Sequence, residues 1–218
     1  MKKKQKDIFL RSEGNAWFER NRHSSCEKQF ETNDPIVSAL QTCVNSELET
    51  SKEPRLLEIG CGEGKRLHWI AQNLNFKCYG VEPADQAVSI ANTNGVQVSQ
   101  GTADQLDFDD KFFDFVIFGF CLYLCDREDL FKIAEEADRV LKDPGFLVVH
   151  DFHSLSPTNK PYEHKQGVLS FKMDYRRLWD WNPSYTCFSH IVNHHSVLSF
   201  TEDQDEWVAT SILRKSCV

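Results

Sequence analysis

The sequence predicts an α/β domain with a doubly wound, mostly parallel sheet and a C-terminal antiparallel hairpin. Three observations carry this reading. From Arg55 onward, short apolar runs alternate with amphipathic stretches at βαβ spacing. The run FFDFVIFGF is continuously apolar, as a strand covered on both faces requires. The last two β-like stretches are separated by a short acidic turn, TEDQDE, as in a hairpin joined to the sheet.

Taken in order, RLLEI (55–59) reads as the first strand and KRLHWIAQNL (65–74) as the helix after it. KCYGVE (77–82) is the second strand, followed by a helix over DQAVSIANTN that stops at Gly95, a natural C-cap. VQVSQ is a short third strand and FFDFVIFGF the fourth. Asp126 is placed to cap a long helix, DREDLFKIAEEADRVL, with Asp129 three residues on in the manner of a capping box. Pro144-Gly145 then leads into FLVVH, the fifth strand. Ahead of Arg55 the chain is polar. There Asp34-Pro35 marks an N-cap and first helical residue, and IVSALQTCVNSEL continues with helical spacing. Beyond residue 151 the pattern loosens into a loop, HSLSPTNKPYEHKQG, and a short aromatic helix near DYRRLWDW. YTCFSHIVNHH and EWVATSILRK are the closing β-like stretches.

Composition narrows the function. The 218 residues suit one domain, and 40% hydrophobic with 27% charged content is that of a globular chain. A net charge of -8 repels phosphate backbones and disfavours a nucleic-acid partner, DNA above all. No apolar run approaches the ~20 residues of a membrane span. The start, MKKKQKDIFLRSEG, has only Ile8, Phe9 and Leu10 after its basic residues, too short for a secretory signal, so a cytoplasmic location is expected. The 8 cysteines form no C-x-x-C pair, and those in runs such as FKCYGV are expected to be reduced core residues. Cys121 and Cys125 could share a helix face, but two thiols do not make a zinc site.

The informative segment is LEIGCGEGKR, 57–66, between a predicted strand and a predicted helix. It is not a Walker A loop, because three residues separate Gly60 from Gly64 and Arg66 follows the lysine. It is not a dinucleotide G-x-G-x-x-G either, since Lys65 follows Gly64. Glu82 ends the second strand twenty residues after Gly62, where a doubly wound fold places a carboxylate for ribose hydroxyls.

The remaining pattern, E-x-G-x-G-x-G, resembles the first motif of the class I S-adenosylmethionine (SAM)-dependent methyltransferases, of the type 11-like group. GTADQLDF resembles that family's "G-D-A-x-x-L-P-F" segment, and RVLKDPGFLVV its approach to the fifth strand. SEGNAWFERN and the His-rich tail resemble a bacterial subgroup that methylates surface polysaccharides and small metabolites. The resemblance implies a Rossmann-like, seven-stranded sheet, SAM as cofactor and S-adenosylhomocysteine as product. It divides the chain into an N-terminal helical cap (1–53), a SAM-binding core (54–151) and a substrate loop, short helix and closing hairpin (152–218). It assigns Glu58, Gly60, Cys61, Gly62 and Gly64 to the cofactor loop, and Glu82 and Pro83 to the ribose. Thr102, Ala103 and Asp104 fall beside the adenine, with Asp104 accepting from its amino group and Leu106 near the ring. Gly119 and Phe120 end the fourth strand beside the cofactor, and Trp17, Phe18 and Asn21 cover it. Two positions depart from the pattern. Glu82 stands where aspartate is commoner, and Thr102 replaces the aspartate of "G-D-A".

The fourth strand lacks the D-P-P-Y or N-P-P-Y of amino-methylating nucleic-acid enzymes, and no Pro-Cys pair supports covalent attack on cytosine. A small-molecule acceptor is therefore expected, with oxygen favoured over nitrogen and sugar or polysaccharide precursors implied by the resemblance. Oxygen acceptors need a base or a metal to take their proton. His150, Asp151 and His153 leave the fifth strand at its carboxyl end, where α/β folds bind ligands, and are the candidate catalytic group. Tyr123, Tyr162, His164 and His194 are candidate acceptor contacts. His190, His194 and His195 would reach the same edge if their strand runs parallel to the others. A His/Asp metal site would depend on loop geometry, and none is assigned. Tyr175, Trp179 and Trp181 are expected in core or lid packing. The competing readings are a tRNA or rRNA methylase and a SAM-binding protein without turnover. The chain is expected to act as a monomer or homodimer.

Overall fold

The computed structural model describes residues 4–22, 33–44 and 53–216. Helix α1 (Gln5–Ile8) continues through a π-helical turn, Phe9–Glu13, into α2 (Gly14–Asn21), and α3 spans Pro35–Val44. The sheet strands are β1 (Arg55–Ile59), β2 (Lys77–Glu82), β3 (Gln97–Gln100), β4 (Phe113–Gly119), β5 (Leu141–Phe152), β8 (Tyr185–His194) and β9 (Trp207–Lys215). Between them lie α4 (Lys65–Leu74), α5 (Asp85–Thr93) and α6 (Leu130–Val140). The spatial order is β3-β2-β1-β4-β5-β9-β8. Strands β1 to β5 are parallel, and β9 is antiparallel to both its neighbours. This is the expected seven-stranded, mostly parallel sheet with its closing hairpin. Because β9 runs backwards, β8 runs in the direction of β5, and His194 ends at the same sheet edge as Asp151.

Period-2 alternation of the parallel strands divides the core. Leu56, Phe115, Ile117, Phe146 and Val148 face one side and pack under α3 and α4. Leu57, Ile59, Val116, Phe118, Leu147 and Val149 face the other and pack against α6 and Trp179. Phe113 and Phe115 to Phe118 are all fully buried, which accounts for the unbroken apolar run that marked this strand in the sequence. Tyr175 and Trp179 are core residues, whereas Trp181 is 46% exposed beside Phe131.

Four sequence expectations change. Asp126 caps no helix of its own. Its Oδ1 and Oδ2 accept from the backbone amides of Gln5 (2.9 Å) and Lys6 (3.0 Å), so it caps α1 from across the molecule. The helix after it begins at Leu130, past a 3₁₀ turn at Arg127–Asp129, and Leu141 already belongs to β5. The loop HSLSPTNKPYEHKQG contains β6 (Thr158–Pro161), which pairs antiparallel with β7 (Leu169–Lys172) in a separate two-stranded ribbon. The last four residues of the predicted IVSALQTCVNSEL helix, 45–48, lie outside the described residues, as do Cys26 and Cys217. The other cysteines are free thiols, and burial pushes Cys43 and Cys78 up to about 12. Cys187 departs from the core expectation and is exposed on β8.

Trp179 is fully buried, and its indole N–H donates to the Ala134 carbonyl at 3.3 Å. Trp179→Ala is expected to cost ~3–5 kcal/mol in urea denaturation. Phe188→Ala, at a site 69% exposed, should stay within ~0.5 kcal/mol. Equal losses in the two variants would contradict this placement of the core.

Candidate functional site

The carboxyl ends of β1 to β4 open onto a cleft of about 800 Å³, its mouth included, at the point where strand order reverses between β1 and β4. The glycine loop forms its floor. Gly60 has φ 78°, and a Cβ there would stand 2.6 Å from the Cβ of Cys121, which also lines the cleft. At the end of β2, Glu82 is 7% exposed. Its Oε2 accepts from the Gly62 amide at 2.9 Å and its Oε1 from the Ala84 amide at 3.0 Å. One carboxylate thus ties the glycine loop to the turn after β2, and each oxygen keeps acceptor capacity for hydroxyls. Burial raises the Glu82 pKa, with the two amides opposing the shift.

The far wall comes from Gly101 to Asp104 and from the N-terminal segment. Lys6 forms ion pairs with Asp104 and, at 2.8 Å, with Asp129, while Phe9 and Trp17 close the cleft above. With Asp126 holding the amides of Gln5 and Lys6, the first helical turn is fastened by two carboxylates just ahead of α6 and by Asp104 in the loop after β3. Asp104 fits an amino-group acceptor, and Lys6 is the donor it now serves.

Of the sequence-predicted cofactor residues, Trp17, Gly60, Glu82, Pro83, Thr102, Ala103, Asp104 and Phe120 line this cleft. Cys61, Gly62 and Gly64 shape the loop without being among the lining residues. Asn21 donates to the Trp17 carbonyl at 2.8 Å, and Phe18 is buried against Ala84 and Ala87. Leu106 is a core residue, its amide held by Glu136. Glu58 is 1% exposed and pairs with Arg66, whose Nε also donates to Asp34 at 3.0 Å. Asp34 caps α3 through the Ile36 and Val37 amides, at 2.9 and 3.0 Å. Gly119 lies against this network, where a Cβ would come within 3.1 Å of Arg66, Glu58 and Ile36.

Beyond the cleft lies an aromatic group at the ends of β4 and β5. Phe120 sits at φ 54°, rare for a bulky residue, and donates its amide to the His150 carbonyl at 2.8 Å. The His150 ring stands edge-on to Phe120 at 4.5 Å, with Nδ1 2.8 Å from Thr210 Oγ1. Burial, helped by Arg66, holds His150 down at about 4. Asp151 Oδ2 accepts from the Leu122 (2.8 Å) and Tyr123 (3.3 Å) amides, and Oδ1 from Phe152 (2.8 Å). Burial raises its carboxyl to about 7 despite those bonds. The Tyr123 hydroxyl accepts from the Trp17 indole at 3.3 Å, and the Tyr162 hydroxyl accepts from Arg20 at 3.1 Å. His164 is exposed against the Tyr162 ring. None of the candidate catalytic and acceptor residues, His150, Asp151, His153, Tyr123, Tyr162, His164 and His194, is among the cleft residues. His153 lies beside His190 and Trp207, and His194 stacks on His195. Lys6, Asp126 and Asp129 were absent from the sequence reading of the cleft, because their meeting joins segments more than a hundred residues apart.

His150 and Asp151 tilt stability in opposite directions. His150 falls from 6.5 to about 4 on folding. The folded protein therefore binds fewer protons between those values, and stability climbs as pH rises through that window. Asp151 rises from 3.8 to about 7, so the folded protein binds more protons there, and stability falls as pH rises. His150→Leu is expected to leave a profile that falls with rising pH, and Asp151→Asn one that climbs. Urea denaturation between about pH 4.5 and 6.5 reads both slopes, and unaltered slopes in both variants would contradict these environments.

The family described as "Methyltransferase domain" matches residues 57–149. An uncharacterised protein of Methanocaldococcus jannaschii is 31% identical over 152 residues, 68% of this chain and 67% of that protein. An uncharacterised methyltransferase of Bacillus subtilis is 29% identical over 140 residues, 60% of this chain and 52% of that protein, so the match spans about half of it. A SAM-dependent methyltransferase of Methanosarcina mazei shares the fold at a TM-score of 0.64 and 16% identity, covering 81% of this chain and 98% of that one. With the glycine loop, the Glu82 carboxylate and the strand order in place, the chain belongs to the class I SAM-dependent methyltransferases.

Proposed function

We propose that the cleft binds SAM and that the chain transfers its methyl group to a small-molecule acceptor, oxygen before nitrogen. One observation carries this reading: Glu82, a buried carboxylate at the lip of β2, faces the cleft with spare acceptor capacity while holding the glycine loop. In this assignment Glu82 takes the ribose hydroxyls, and Asp104 takes the adenine amino group once Lys6 yields it. Ala103 and Pro83 flank the base, and the backbone from Gly60 to Gly62 receives the amino-acid end. Trp17 and Phe120 exclude water from the reacting centre. When bound, the sulfonium supplies an electrophilic methyl, and the protein's task is alignment of a nucleophile.

The acceptor is assigned to the aromatic group of Phe120, Tyr123 and Phe152, with Tyr162 and His164 on the loop outside it and His194 at the end of β8. His150 is the proposed base. Its Nδ1 is engaged by Thr210, burial keeps the ring neutral, and Nε2 then has a lone pair to accept a proton. Asp151 is proposed as a positioning residue. Its Oδ2 accepts from both amides of the turn that carries Leu122 and Tyr123, and its Oδ1 from the Phe152 amide.

Calorimetric titration with SAM and S-adenosylhomocysteine tests the reading. The wild type is expected to bind both, Glu82→Ala to weaken binding ~100-fold or more, and Asp104→Ala roughly tenfold. Release of S-adenosylhomocysteine across a panel of hydroxylated small molecules then tests turnover, with His150→Gln losing rate and keeping SAM affinity. No binding by folded wild type would overturn the proposal. Binding without turnover across the panel would leave a SAM-binding protein in place of the proposed enzyme.

A further inference from the structure

We propose that His153, Asp174 and His190 form a binding site for a divalent transition-metal ion of the zinc type, pinning the closing hairpin and the segment after β7 to the carboxyl end of β5. The three residues come from separate elements, namely the exit of β5, the turn after β7 and the middle of β8. One ligand atom from each lies within 4.8 Å of the other two. Zinc bonds of ~2.0–2.2 Å place tetrahedral ligand atoms ~3.3 Å apart, so binding requires the side chains to close by no more than about 1.5 Å.

The surroundings suit a cation held by nitrogen. Among the described residues, the buried Asp174 Oδ1 has no hydrogen-bond partner, an acceptor without a donor. Its other oxygen, Oδ2, is 3.0 Å from Arg176 Nε, so one carboxylate oxygen is held and the other is free for a metal. His190 Nδ1 lies 2.8 Å from Ser211 Oγ. With Nδ1–H donating to that hydroxyl, Nε2 presents its lone pair, the arrangement that orients metal-binding imidazoles. His153 is 6% exposed, and its ring lies at 25° to that of Trp207, 6.1 Å away, which gives the site an apolar wall. Two imidazoles and one carboxylate suit zinc, cobalt or iron better than calcium or magnesium, which prefer oxygen ligands. Three protein donors leave one tetrahedral position for water. The second His/carboxylate group, His194, His195 and Glu206, is more exposed, and Glu206 there already pairs with both histidines.

The test uses the full chain after EDTA treatment, titrated with Zn²⁺ by calorimetry and with Co²⁺ by visible absorption. One equivalent of Zn²⁺ is expected to bind at micromolar affinity or tighter, and Co²⁺ to give the strong visible bands of four-coordination. His190→Gln and Asp174→Asn, both at partly exposed residues, should each weaken Zn²⁺ binding at least ~10-fold, and Ser211→Ala by about the same factor through ring orientation. Glu206→Gln should leave binding unchanged. Failure of the wild type to bind one equivalent, survival of affinity in both His190→Gln and Asp174→Asn, or loss in Glu206→Gln alone would each overturn the proposal.

Discussion

A single guanidinium organises the base of the cleft. Arg66 lies two residues after Gly64, and Glu58 two residues before Gly60, so their ion pair closes the loop like a clasp. The same guanidinium reaches Asp34, whose other oxygen caps α3. Strand β1, the loop helix and the N-terminal helix therefore meet at one buried charge. A buried ion pair adds little over a well-packed apolar contact, yet losing one partner strands the other at a cost of ~3–5 kcal/mol. The network thus specifies geometry more than it adds stability. Gly119 completes it, because a side chain there would press on both charged groups.

Two glutamates near the loop show how environment divides labour. Glu58 lies under the loop, sealed from solvent and neutralised by Arg66. Glu82 lies at its rim, unpaired with any cation among the described residues, its charge spread over two backbone amides. The first fixes where the loop is, and the second faces what lies above it. The sequence distinguished them by position, since one falls inside a strand and the other at its carboxyl end. It did not reveal that Glu58 points away from the cleft, because the partner that turns it, Arg66, looked like an ordinary residue of an amphipathic helix.

The parallel core was legible because both faces of β1 and β4 are covered, which leaves unbroken apolar runs, and because glycines and prolines mark their ends. Along the N-terminal segment this kind of signal fails. Asp126 has the chemistry of a helix cap and acts as one, but for α1, some 120 residues earlier in the chain. No local pattern encodes that meeting. The β6–β7 ribbon was hidden for another reason. Its first strand, Thr158–Pro161, is exposed throughout and carries no hydrophobic alternation, so its pairing rests on the backbone ladder, with Ser170 Oγ donating to the Lys160 carbonyl and Asp205 engaging Lys160 and Lys172. Among the candidate histidines the sequence placed His150, His153 and His194 at the correct sheet edge. Which of them share a pocket depends on how side chains alternate along β5 and on the turn that follows it.

The reversed strand β9 also bears on how the chain acquires this shape. Strand β8 leaves the ribosome before β9 but has no place in the sheet until β9 has paired with β5 along Gly145 to Phe152. The final strand of the sheet in chain order is thus an inner one, with Ile212 and Leu213 completing the cores on the two faces. A nascent chain that has reached residue 195 carries an unpaired β5 edge and an apolar strand with no partner, a species prone to misassembly. Cooperative closure must wait for long-range pairing, so the sheet is expected to close only once β9 is available, and slowly for its size.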